Sequence, residues 1–167
     1  SVEHINLLAK PASGLFRIIK AFAFYTRFYS ITEKYSSDRL EHEFLKIDDV
    51  ALIICNDISS LPIGTRLSKN KIPIWADLHE YSPRQFEHFV KWKLFQQPYV
   101  YWLTKKYLPQ CAAITTVCNG LAEEYEKEFN VKIDGLIYNT PAYSDVKPSK
   151  TNANIKLVHH GGASPHR

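Results

Sequence analysis

The feature that most constrains this chain is a strand, helix, strand succession between Val50 and Ala76. Val50-Ala51-Leu52-Ile53-Ile54-Cys55 is an unbroken apolar run, preceded by Asp48-Asp49 and followed by Asn56-Asp57. A run without alternation is how a strand buried on both faces of a parallel sheet is written. Ser59 or Ser60, with Pro62 in the first turn, then opens a helix to about Lys69. Ile72 to Ala76 follows as a second short strand. Such a βαβ unit makes neighbouring parallel strands, so Asn56-Asp57 and the group Asp77, His79 and Glu80 meet at one sheet edge. In an open parallel sheet that carboxyl edge is where ligands bind. The plain alternative is turn chemistry for Asp77 and a hydrogen-bonded structural role for His79.

Further units repeat the pattern. Ala112 to Val117 is a third β-prone run, turning through Cys118-Asn119-Gly120 into a helix from Leu121 to Phe129 that Asn130 closes. Lys132 to Tyr138 is a fourth strand, and Ala142 to Asn154 is a linker by composition. Ile155 to His159 begins another strand that runs into His160-Gly161-Gly162-Ala163. The fold class expected is α/β, a Rossmann-like three-layer domain with a mainly parallel sheet.

Two aromatic segments flank or interrupt this frame. From Leu15 to about Tyr29, apolar residues cover most of a helix and leave Arg17, Lys20 and Arg27 on a narrow stripe. Burial inside the fold is the reading such a helix favours, with a membrane-touching surface as its competitor. A second helix is expected from Ser37 to Leu45, and Val2 to Leu8 is a lead-in or a frayed strand. Arg84 to Leu108 mixes Phe, Tyr and Trp with Lys and reads as a helix broken at Pro98, packed in the core. Interfacial membrane contact or sugar stacking is the alternative there.

Composition closes off other classes. No apolar run approaches the ~18 residues of a membrane span. Cys55, Cys111 and Cys118 lack Cys-x-x-Cys spacing and sit in or beside apolar runs, which predicts buried reduced thiols and no zinc site. A net charge of +4 without a basic block gives no nucleic-acid signal. His79-Glu80 is not a zinc-protease pair, because Pro83 stands where the second His belongs. His159, His160 and His166 read as solvent-exposed. The chain carries no Met and starts at Ser1, as an excerpt of a longer protein would.

The order VALIICND, IPIWADLHE, CAAITTVCNGLAEEY, GLIYNTP, a polar linker and IKLVHHGGASPHR resembles the amino-terminal domain of a GT-B fold glycosyltransferase of the group 1, or family 4, type. The resemblance spans roughly Asp48 to Arg167. Upstream, residues 1–46 lack the family's first strand and Gly-rich turn, so truncation at both ends is expected. It implies residues 1–141 as the acceptor-side domain, 142–154 as the interdomain linker, and 155–167 as the start of a second, truncated domain.

By that resemblance the full enzyme moves a sugar from a nucleotide-activated donor to a glycan or lipid-linked acceptor, with retention and without a metal or other cofactor. His79 takes the place of the histidine that borders the reacting sugar. Asn56, Asp57, Asp77 and Glu80 support the acceptor, and Gly161, Gly162 and Arg167 approach the donor diphosphate. The implied partners are the nucleotide sugar, the acceptor, the missing carboxyl-terminal domain and, peripherally, the inner membrane surface. The implied setting is cytoplasmic, in cell-surface polysaccharide or glycoconjugate synthesis. The alternatives are a non-catalytic glycan-binding domain of Rossmann type and a membrane-surface interaction module.

Overall fold

The computed structural model describes residues 14–33, 49–147 and 150. Its centre is a sheet of four strands: β1 (Ile53–Asn56), β2 (Ile74–Leu78), β3 (Ala113–Thr116) and β4 (Gly135–Leu136). The strands pair in chain order and all are parallel. Helices α2 (Leu61–Ser68), α3 (Gln97–Tyr107) and α4 (Asn119–Phe129) make the crossovers, and α1 (Gly14–Tyr25) precedes them. This is the α/β, Rossmann-like parallel arrangement that the strand succession predicts.

Each crossover advances one strand in the same direction. Right-handed connections therefore put α2, α3 and α4 over one face of the sheet. Registered partners in a parallel sheet share a face, and Cys55, Ala76 and Ile114 form one such row on the covered side. They pack with Leu61, Leu103 and Tyr125 from the three helices. Leu61, Leu78, Leu108 and Tyr125 are fully buried, each contributing about 1.5–3 kcal/mol by removal from water. The other face carries the row Asn56, Asp77, Thr115 and Gly135 in register.

Local punctuation follows the sequence closely. Pro62 lies in the first turn of α2, where its missing N–H has no helical partner to lose. Lys69 and Asn130 end α2 and α4 in the left-handed region, at φ 47° and 52°. Gly64 is needed for close approach: a Cβ there would fall well inside contact distance of the Cys55 Sγ. Helix α2 can lie on β1 only because that atom is missing.

Four expectations are corrected. Residues 50–52 are not strand, and Leu52 and Ile54 are exposed. Among the described residues β1 is the end strand of the sheet, and its burial alternates, with Cys55 buried and Ile54 exposed. Second, α1 is not buried all round: it packs through Ala23 and Phe24, with Tyr29 beyond it, while Leu15, Ile18, Phe22 and Tyr25 stay open. Third, the helix runs on through Pro98 instead of breaking. A π turn at Trp92–Gln96 feeds directly into α3, widening the backbone just ahead of the proline ring. Fourth, core packing holds only for the second half of that segment, at Leu103 and Tyr107, whereas Phe86, Phe89, Val90 and Leu94 are exposed. The expected segments 2–8, 37–45 and 155–159 lie outside the described residues.

Candidate functional site

The carboxyl edge of β1 and β2 gathers the polar residues that follow both strands. Asn56 and Asp77 are register partners, and the Asp57 amide donates to the Asp77 carbonyl at 3.0 Å. The Asp57 carboxylate in turn accepts the His79 backbone amide, 3.1 Å from its Oδ1. One side chain after β1 thus fixes the main chain after β2.

Asp57 is itself held in an unusual conformation, φ 63° and ψ 165°, a region that L residues with a Cβ rarely enter. Every polar group it has is engaged. Its amide and carboxylate bond as above, and its carbonyl accepts both the Ser60 amide and the Ser60 hydroxyl, the latter at 2.8 Å. The turn of residues 58–60 and the start of α2 thereby hold the strained residue in place.

Asp77 carries a relay on the second face of the sheet. Its Oδ1 accepts the Thr115 hydroxyl at 2.8 Å, and Thr115 Oγ1 accepts the Trp75 indole N–H at 2.8 Å. Its Oδ2 lies 3.0 Å from His79 Nε2. The Asp77 side chain is 17% exposed and that of His79 45%. In a neutral imidazole with Nε2–H donating to that carboxylate, Nδ1 is the acceptor available to a ligand hydroxyl.

The loop beyond is clamped from α4. The fully buried Tyr125 donates its hydroxyl to the Glu80 carbonyl at 2.8 Å and accepts the Ser82 amide at 3.1 Å. Burial pushes the Tyr125 phenol up to about 12, so the hydroxyl keeps its proton for that bond. The Glu128 carboxylate accepts the hydroxyls of Tyr81 and Tyr101, with Arg84 at 3.5 Å. Burial works against its charge, yet the hydrogen bonds from Tyr101 and Tyr81 and the Arg84 cation outweigh it and hold its pKa below the usual carboxylate range. The Glu80 side chain bonds Gln85.

Of the residues singled out from sequence, Asn56, Asp57, Asp77 and His79 come together at one edge. Glu80 contributes its backbone to the Tyr125 clamp while its carboxylate is engaged by Gln85. Gly161, Gly162 and Arg167, and the histidines at 159, 160 and 166, lie outside the described residues. Thr115, Trp75 and Tyr125 were missed. The strand period places Trp75 on the face of Asp77, but Thr115 joins them only through the β2 to β3 pairing. Among the described residues no group of three metal-ligating side chains forms.

Cys118 departs from its expectation. It is exposed at the turn into α4, whereas Cys55 is buried, and all three thiols are free. The apolar run before it ends at Val117, and the turn lifts Cys118 out of the packed layer.

Comparison with known protein families, with characterised proteins and with solved structures gives no match.

Proposed function

We propose that this chain supplies the acceptor-side lobe of a sugar-transferring enzyme that uses a nucleotide-activated donor. The observation that carries the reading is the convergence of Asp57 and Asp77 on His79 at the carboxyl edge of a parallel sheet. Asp57 sets the main chain, Asp77 sets the ring, and one imidazole nitrogen remains to accept a sugar hydroxyl. The row Asn56, Asp77 and Thr115 offers further polar groups beside it.

In the reaction so read, the acceptor oxygen bonds to the anomeric carbon as the carbon to phosphate-oxygen bond breaks. The acceptor proton passes to the departing diphosphate. His79 holds a sugar hydroxyl in place, which is a positional contribution strongest when the ring is electron-deficient in the oxocarbenium-like transition state. The donor-binding half of the chemistry falls to residues 161, 162 and 167 and to a partner lobe, by resemblance alone.

The test is nucleoside diphosphate release by the full-length protein across a panel of UDP- and GDP-sugars. His79→Ala is expected to lower turnover at least ~100-fold, and Asp77→Asn by less, with the far-ultraviolet circular dichroism unchanged. Undiminished turnover in His79→Ala would reject the assignment.

A further inference from the structure

We infer that α1 and the π turn before α3 together form a docking surface for an anionic lipid bilayer. Leu15, Ile18, Phe22 and Tyr25 fall within about 80° of arc at about 100° per residue, and each is more than 60% exposed. Tyr25 meets the Phe95 ring edge-on at a centroid distance of 5.1 Å, which joins this stripe to exposed Leu94 and Phe95. An apolar surface of this extent on one side of a domain marks a contact site.

Charge selects the occupant. No Asp or Glu occurs from 14 to 31 or from 88 to 122, although the chain carries 17. Arg17, Lys20, Lys91 and Lys93 are exposed in those stretches, and no described carboxylate lies in ion-pair reach of them. Arg17 and Lys20 lie on the side of α1 away from that stripe at about 100° per residue, and Lys91 and Lys93 precede exposed Leu94 and Phe95 at the π turn. An apolar face with cations on the polar side is the composition of a helix lying in a lipid headgroup layer. A second copy would set these same cations against one another. No described helix is long and apolar enough to cross a membrane, so the surface rests on the bilayer.

The placement bears on the site. Gln97, at the start of α3, donates to the Pro83 carbonyl at 2.9 Å. That bond closes the patch segment back onto the loop that leaves His79 and Glu80. The surface therefore borders the sheet edge that holds the site, and docking would bring that edge next to lipid headgroups. The inference does not depend on the transferase reading.

The experiment is co-sedimentation of the full chain with vesicles of phosphatidylcholine alone and with about one quarter phosphatidylglycerol. Binding is expected only to the anionic vesicles, and lost in ~0.5 M salt, where screening shortens the reach of the charges to a few ångströms. Each cation removed should weaken partitioning about fivefold, so Lys91→Gln with Lys93→Gln lowers it about 25-fold. Phe22→Ser with Phe95→Ser should abolish it, and circular dichroism controls for folding. No partitioning, equal binding to both vesicles, or self-association that Phe22→Ser removes without any vesicle binding would each overturn the inference.

Discussion

The strained residue Asp57 gives the sharpest quantitative prediction. Its φ of 63° and ψ of 165° cost an L residue about 1–3 kcal/mol, and glycine avoids that cost. Asp57→Ala and Asp57→Gly both lose the bond to the His79 amide, about 1 kcal/mol in each case. Alanine keeps the strain. Glycine relieves it but gives up about 0.5–1 kcal/mol of backbone entropy. At the middle of those ranges Asp57→Gly should therefore be more stable than Asp57→Ala by about 1 kcal/mol, against the usual order for those two residues. At a urea slope of about 2 kcal/mol per molar, the midpoints should differ by about 0.5 M. Both variants should lose activity, since neither anchors the main chain under His79. Equal midpoints, or a more stable alanine variant, would refute the view that this edge stores backbone strain.

Other predictions test the packing around the same edge. Gly64→Ala should destabilise by about 1–3 kcal/mol, and Cys55→Ala in the same chain should recover most of that loss, because the clash is with the Cys55 Sγ; a double-mutant cycle by urea unfolding measures the coupling. The Glu128 clamp contributes stability that is complete above the ordinary carboxyl value of 4.5 and is lost as pH falls through the depressed value in the fold. Glu128→Gln should flatten stability against pH in that acid window, read from unfolding midpoints between about pH 3 and 6. Ellman's reagent should titrate Cys118 at once in the native protein while Cys55 and Cys111 react only on unfolding. Cys118 is exposed, and burial, with Cys55 adding to it, pushes the Cys111 thiol up to about 12.

Much of this architecture is written in the chain itself. The apolar run at 53–55, Pro62 ahead of α2, the run at 113–116 and Asn130 after α4 each act within a few residues, so strand, crossover and parallel pairing are legible from them. Asn56, Asp57, Asp77 and His79 were legible as one cluster for the same reason, since a βαβ unit has one handedness and one carboxyl edge.

What faces solvent was decided elsewhere. The same apolar spelling serves a helix buried on all sides and a helix whose outer stripe is open, so neither α1 nor the stretch from Phe86 to Phe95 declared its exposure. Only the packing of Phe24 on Tyr99, with Tyr29 on Trp102 just beyond the helix, settles which side of α1 is covered. Likewise, Thr115 reaches Asp77 and Tyr125 reaches Glu80 through contacts about forty residues apart in sequence, and contacts at that separation exist only once the strands have found their register.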